Sequence, residues 1–418
     1  MNSTPRPPTV NNYLDTQQQF TEVINTKSAN FIGRDFVFTA INNFLHRYNR
    51  GYFTIIGAPG SGKSAMIAKY IQENPHVIYY NAELEGKNHA EEFLRFVCQQ
   101  LLDITPPQPS PQARREKTST NIPLFIGERG VLPDNATEGS WFLSLLLQQI
   151  SDSLQLNQTS QPNQKLIIAI DGLNCINRNL QPPGTNIFYL PRYIPQGVYF
   201  LLSRRPFLSD NSGLLIEAPM QSLNLADYPE ENKQDIQNYI RRNLTPLTPL
   251  PYKGMGEQDA SNSPLLAGEG LGERSILKSW LNTHQINEAE FISNLTNRSE
   301  NNFMYVSQVL AAIADGFYSE PSQLETSLPP GLESYYQQHL QKMLPSTGED
   351  FPLAVLKVLA QQTQPISVAA IAEILDTDEY EIEELLENWV EFLNLQSISG
   401  NIFYGFYHSS FRDAVNKI

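Results

Sequence analysis

The spacing of apolar positions divides the first half of this chain into short hydrophobic runs and helical stripes. YFTIIG (52–57), HVIYYNAE (76–83), KLIIAID (165–171) and GVYFLLS (197–203) have the length and content of strands, and GLLIEA (213–218) is a fifth. FIGRDFVFTAINNFLHRY (31–48) opens on a Gly-Arg turn and continues as an amphipathic helix, with Phe38, Ile41, Phe44 and Leu45 on one stripe. AMIAKYIQ (65–72), NHAEEFLRFVCQQLL (88–102) and WFLSLLLQQISDSL (141–154) read as further helices. Strands alternating with helices, beginning from a strand–Gly loop–helix unit, predict an α/β fold with a mostly parallel sheet and helices on both faces. Residues 1–30 read as a polar lead-in with some helix.

Two stretches break the pattern. Residues 105–140 are rich in Pro, Gly and polar side chains with little periodicity, which predicts a disordered insertion. A second insertion is expected over 245–283, where PLPYKGMGE and PLLAGEGLGE are imperfect copies of one another and share elements with PLFIGERG in the first. Loops tolerate such length at small entropic cost. The Gly-x-Gly inside these copies follows no strand and is not read as a phosphate loop.

From residue 223 the texture is helical: 222–244, 288–317 and 332–344 carry helical patterns. The last part reads helix, helix, helix, a hairpin through Ser399-Gly400-Asn401 and a final helix, which is a winged-helix pattern. The expected domains are a lead-in (1–30), a P-loop domain (31–222), a helical domain (223–345) and a winged-helix domain (346–418).

Composition narrows the class. A net charge of −15 repels phosphate backbones and anionic lipid heads, so nucleic acid is not the expected partner. No apolar run approaches the roughly 18–20 residues of a membrane span, and the N-terminus has no signal pattern. Two cysteines, Cys98 and Cys175, make no disulfide framework, and a reducing cytoplasm is the expected compartment. The acid-rich segment 369–392, without Lys or Arg, reads as a solvated helix face.

The chemistry concentrates at strand ends. GAPGSGKS (57–64) fits the GxxxxGK[ST] phosphate loop. Gly57, Gly60 and Gly62 let the backbone turn so that its N–H groups converge on phosphate oxygens, with Ala58, Pro59 and Ser61 completing the loop; the helix start at Lys63, Ser64 and Ala65 adds partial positive charge. Lys63 neutralises the β- and γ-phosphates of ATP, and Ser64 offers a hydroxyl to Mg²⁺. Asp171, ending KLIIAID, is placed to hold the Mg²⁺ through water. In SRRP (203–206), Arg205, favoured over Arg204, is positioned to sense the γ-phosphate.

Together, FIGRD (31–35), GAPGSGKS, LIIAIDGL, FLLSRRP and YHSSFRD (407–413), in that order, resemble a STAND-class P-loop ATPase, close to NACHT-type and related cyanobacterial members. The resemblance spans most of the chain outside the two insertions. It implies that Gly33 and Arg34 lie in a hinge over the base, that Arg205 is the sensor arginine, and that His408 touches ADP in a closed state. It also implies a switch: ADP holds the protein shut, and exchange for ATP opens and oligomerises it or frees a surface for a protein partner, with the winged helix as a latch. This sequence departs from the family in three places. It ends at Ile418 without sensor repeats, NNFMYVSQVL (301–310) lacks the proline placed against adenine, and Asp171 is followed by GLNC where relatives carry further acids. Neither the Asn174 amide nor the Cys175 thiol, with an ordinary pKa near 8.5, replaces a general base at pH 7. Glu83, at the end of HVIYYNAE, is the candidate substitute, with a solvated strand-end glutamate as the favoured alternative reading. The expectation is an ATP/ADP switch with slow or absent hydrolysis. The alternatives are a scaffold folded around non-exchanging ADP and a DNA-binding initiator-like ATPase, which also joins such a core to a winged helix.

Overall fold

The computed structural model describes residues 10–84, 86–104, 132–156, 164–206, 213–245, 270–318, 320, 328–344, 350–362, 364–389, 392–398, 401–406 and 409–418. Its contacts divide it into two compact units, Met1–Ala58 with Lys63–Asp227, and Pro59–Gly62 with Tyr228–Ile418.

In the first unit, α1 (Val10–Ser28) and α2 (Asp35–Arg47) precede β1 (Gly51–Ile56), α3 (Lys63–Glu73), β2 (Ile78–Asn81) and α4 (Ala90–Ile104). Then follow α5 (Trp141–Leu156), β3 (Leu166–Asp171), β4 (Val198–Arg204) and β5 (Met220–Asn224). The strands form one sheet in the order β2-β3-β4-β1-β5, and every pairing is parallel. β3 and β4 are buried along their whole length, as strands covered on both faces must be, which is why they are continuous apolar runs. Stacked Tyr52 and Phe200, with centroids 4.8 Å apart, join β1 to β4.

Two expectations change here. The fifth strand is Met220–Asn224, not 213–218, which carries no strand. Its burial alternates because it is an edge, so its polar-apolar spelling resembles a helix lead-in. The lead-in is also more than polar: α1 is amphipathic enough to bury Thr16, Phe20 and Ser28. Phe20 meets Tyr79, Tyr80 and Phe96 edge-on, covering the outer side of β2. Lys87 donates to Thr16 Oγ1 (2.8 Å) and to Glu92 (2.7 Å), which fixes the same helix from the polar side.

The second unit contains α6 (Pro229–Leu244), α7 (Gly270–Thr283), α8 (Glu288–Arg298), α9 (Phe303–Ala314) and α10 (Leu332–Met343). It continues through α11 (Asp350–Gln361), β6 (Ile366–Ser367), α12 (Val368–Leu375), α13 (Glu379–Asn388), β7 (Leu393–Ile398), β8 (Asn401–Phe406) and α14 (Ser409–Val415). Side-chain caps explain several starts: Asn287, Asn302, Ser367 and Asp378 each accept from backbone N–H groups of the first turn that lack an intrahelical partner. β6, β8 and β7 form an antiparallel sheet in that order, with Ile398 opposite Asn401. Residues 399 and 400 of the expected hairpin turn lie outside the described residues.

Three boundaries differ from expectation. The end of the 245–283 stretch is helix α7, with Leu277 and Leu281 buried, while 246–269 lie outside the described residues. Of the first expected insertion, 132–140 are turns around buried Ala136, and 105–131 lie outside. Instead of separate helical and C-terminal cores, Ile236 through Val415 contribute to one hydrophobic cluster.

Candidate functional site

The parallel strands deliver their C-terminal ends to one rim, and the candidate residues follow from that. β1 ends at Ile56 and the chain turns through Gly57–Gly62 into α3. The Gly57 N–H donates to the Arg204 carbonyl at 3.2 Å, anchoring the loop on β4. The Lys63 ammonium donates to the carbonyls of Gly57 (2.8 Å) and Ala58 (2.9 Å), so it curls over the start of its own loop. Burial pulls this ammonium down to about 8; Asp171 and Glu83 pull it back up, and Arg205 adds to the lowering. Ser64 and Ala65 follow in the first turn of α3, half-exposed, where helix N–H groups have no intrahelical partner and favour an anion.

Asp171 ends β3 and is 1% exposed. Its Oδ1 accepts from the Ser203 hydroxyl of β4. Its Oδ2 is buried and makes no hydrogen bond of ordinary geometry among the described residues, with the equally buried Tyr79 hydroxyl facing the same carboxylate, an arrangement that is costly unless something else satisfies it. Ser203 also accepts from the Gly172 N–H at 3.1 Å, so one hydroxyl fixes both the carboxylate and the turn after it.

Glu83 lies just past β2. Its N–H donates to Asn81 Oδ1 (2.8 Å), and a Cβ on Gly172 would sit 2.5 Å from its Cγ. Gly172, at φ 74°, therefore provides both the left-handed turn and the space for Glu83. Burial, then the Asp171 carboxylate, push the Glu83 carboxyl above the ordinary glutamate range, against Lys27, Lys63 and Arg205. The structure thus brings Lys63, Asp171, Glu83 and Arg205 into one electrostatic neighbourhood, with Cys175 also acting on Lys63.

Asn174 takes a different part from the acid it replaces. Its Oδ1 accepts from the backbone N–H of Arg205 at 3.1 Å, tying the turn after β3 to the segment after β4. Arg204 and Arg205 separate clearly: Arg204 is buried at the end of β4, and burial, reinforced by Arg178, lowers its guanidinium to about 10. Arg205 is half-exposed and acts on both Lys63 and Glu83. Gly33 and Arg34 adopt consecutive left-handed conformations before α2, and the Arg34 side chain is 2% exposed, with its guanidinium over the Phe36 ring. His408 lies outside the described residues.

Among the described residues no group of three His, Cys, Asp or Glu side chains is placed to enclose a metal ion. The residues do fit a nucleotide-borne Mg²⁺, which needs few protein ligands and keeps several waters: Asp171 supplies an unsatisfied buried oxygen, and Ser64 a hydroxyl in the first turn of α3. No described helix is long and apolar enough to cross a membrane. Two residues with clear roles escaped the sequence reading: Ser203, masked by the more conspicuous arginines after it, and Asn302, whose neighbours drew notice only for a missing proline.

No family model matches the chain, and no curated protein does. Among solved structures, the chain is similar to a STAND protein with a tetratricopeptide repeat sensor from Pyrococcus horikoshii, at 15% identity and a TM-score of 0.37. That similarity covers 93% of this chain and 42% of the other, so the chain spans less than half the length of that protein. It is also similar to RuvB of Thermotoga maritima (11% identity, TM-score 0.30, covering 90% of this chain and 92% of that one). The Drosophila ORC bound to DNA is a third (14%, TM-score 0.31, 88% and 89%).

Proposed function

We propose that this chain is a P-loop ATPase-class nucleotide switch of STAND type, which binds ATP or ADP with Mg²⁺ and turns ATP over slowly or not at all. The observation that carries the reading is the pairing of an intact phosphate cradle with one acid, Asp171, at the end of β3 and none in the turn that follows it. Lys63 is held on its own loop beside Asp171, whose buried Oδ2 makes no hydrogen bond of ordinary geometry, while the position where relatives carry another acid is Asn174, engaged with the Arg205 backbone. Ser64 and Asp171 would hold the ion, Lys63 the phosphates and Arg205 the γ-phosphate. Glu83 is the remaining carboxylate able to take a proton from water, and its raised pKa moves it towards the range useful for general-base work.

The C-terminal arrangement of three helices, an antiparallel sheet and a closing helix is read as a winged helix serving as a latch, with His408 reaching ADP. The switch is cytoplasmic and acts in signalling or defence through self-assembly or a protein partner; the acidic charge argues against DNA as that partner.

The test is single: measure nucleotide content, ADP exchange and ATP turnover of the purified full chain beside Lys63→Ala and Glu83→Gln. Stoichiometric exchangeable ADP, turnover well below about 1 s⁻¹, loss of binding in Lys63→Ala and a further fall of about 10²-fold or more in Glu83→Gln are expected. Wild-type turnover above about 1 s⁻¹ would overturn the slow switch. Bound ADP that does not exchange over hours would replace it with the scaffold reading, and salt-dependent micromolar duplex binding with the initiator reading.

A further inference from the structure

Within the second unit, the loop tip Pro59–Gly62 meets the amino end of α9. Asn302 Nδ2 donates to the Pro59 carbonyl at 2.9 Å, and the Met304 N–H donates to the Gly60 carbonyl at 3.1 Å. The approach is close: a Cβ on Gly60, which has φ 76°, would lie 2.4 Å from Asn302 Oδ1 and 2.7 Å from Met304 Cβ. The same Asn302 side chain caps α9, its Oδ1 accepting from the Tyr305 N–H at 3.2 Å.

In a trans peptide the carbonyl and the following N–H lie in one plane and point in opposite directions. Holding the carbonyls of Pro59 and Gly60 therefore turns the N–H groups of Gly60 and Ser61 away from α9. Those two N–H groups are among the donors that a phosphate loop aims at its anion. Two consecutive peptide planes are thus oriented before any ligand arrives, and preorganised donors bind without the ordering cost that a floppy loop incurs.

We propose that Asn302 is a positioning residue for the phosphate loop: it and the Met304 N–H preset the Gly60 and Ser61 donors for the β-phosphate of a nucleoside diphosphate. This rests on the nucleotide-binding reading above and adds a determinant of affinity that lies some 240 residues along the chain from the loop it controls.

Asn302→Ser separates the two roles of the side chain. Serine keeps an oxygen for the Tyr305 N–H, so the helix cap survives, but it is too short to reach the Pro59 carbonyl. Asn302→Asp keeps both shape and cap and replaces the donor by an acceptor facing that carbonyl. Binding of ADP and of AMP to the full chain is measured by calorimetry, with thermal unfolding of the nucleotide-free protein alongside. Both variants are expected to unfold near the wild-type temperature and to lose about 5- to 20-fold in ADP affinity, the worth of about one preorganised hydrogen bond. AMP binding should change by less than about twofold, because AMP lacks the phosphate those donors serve. Should Asn302→Ser fail to fold, the isosteric Asn302→Asp decides alone. Unchanged ADP affinity in a folded variant overturns the proposal by itself. Equal losses for ADP and AMP also overturn it, since they would show general damage to the site. A wild-type chain that binds no nucleotide overturns the parent reading, and this one with it.

Discussion

Gly172→Ala tests the geometry after β3 most directly. At φ 74° and ψ 36° the residue is left-handed, a conformation that disfavours an L side chain by about 1–2 kcal/mol. The new methyl would also lie 2.5 Å from Glu83 Cγ and 3.3 Å from the Glu83 amide nitrogen. Glu83 must then leave its rotamer, at about 0.5–1.5 kcal/mol. The sum is a destabilisation of about 2–3 kcal/mol, read as a lower midpoint in urea at unchanged slope. The steric part disappears if Glu83 is first cut to alanine, which has no Cγ. In a Glu83→Ala background, Gly172→Ala should therefore lose only the backbone part, leaving a coupling of about 1 kcal/mol. Equal losses in the two backgrounds, within about 0.3–0.5 kcal/mol, would refute the contact. A total loss below about 0.5 kcal/mol would refute the left-handed turn as well. Because Glu83 is the proposed base, the same variant should lower any residual ATP turnover in the wild-type background and leave it unaffected where Glu83 is already absent.

Ser203→Ala removes the donor to Asp171 and the acceptor of the Gly172 N–H together, so a loss of about 1–3 kcal/mol in urea unfolding and weaker Mg²⁺-dependent binding of ADP are expected; an unchanged midpoint would argue against the bridge. His339, 4% exposed between Tyr335, Phe392 and Phe411, has its imidazolium suppressed to about 3, first by burial and then by Lys342. The unfolded chain therefore binds a proton that the folded one refuses between about pH 6.5 and pH 3, so stability is fully present above that window and falls by about 1.4 kcal/mol per pH unit on acidification. His339→Gln should flatten this slope, and a variant with the wild-type pH profile would show that another group is responsible.

The interior strands β1, β3 and β4 were legible because parallel strands buried on both faces need apolar runs, and β2, although an edge, was legible because Phe20 of α1 packs against it and all four of its residues are buried. β5 was missed because it is the edge left largely uncovered, where no such run is needed, while the apolar decoy GLLIEA just before it carries no strand. The phosphate loop could be read from spelling alone, since its glycines and lysine are adjacent in sequence. Ser203, Gly172 and Asn302 could not, because their roles depend on which strand end or helix start folds beside them. The role of Asn174 shows the same limit: its sequence position records a missing acid, while its amide holds the Arg205 backbone.

The common cluster running from Ile236 to Val415 has a consequence for how this protein can change shape. Tyr336 of α10 bonds Ser410 of α14 at 2.7 Å, and its ring meets Phe411, which is wholly buried. Prying the last helix from the preceding bundle would expose both rings, at about 1.5–3 kcal/mol for a side chain such as Phe411 alone. The described helices α6 to α14 are therefore expected to unfold together, and a latch built on the closing helices would move with the bundle before them. A protease probing the folded chain should release this region as a single core, trimmed only at its loops.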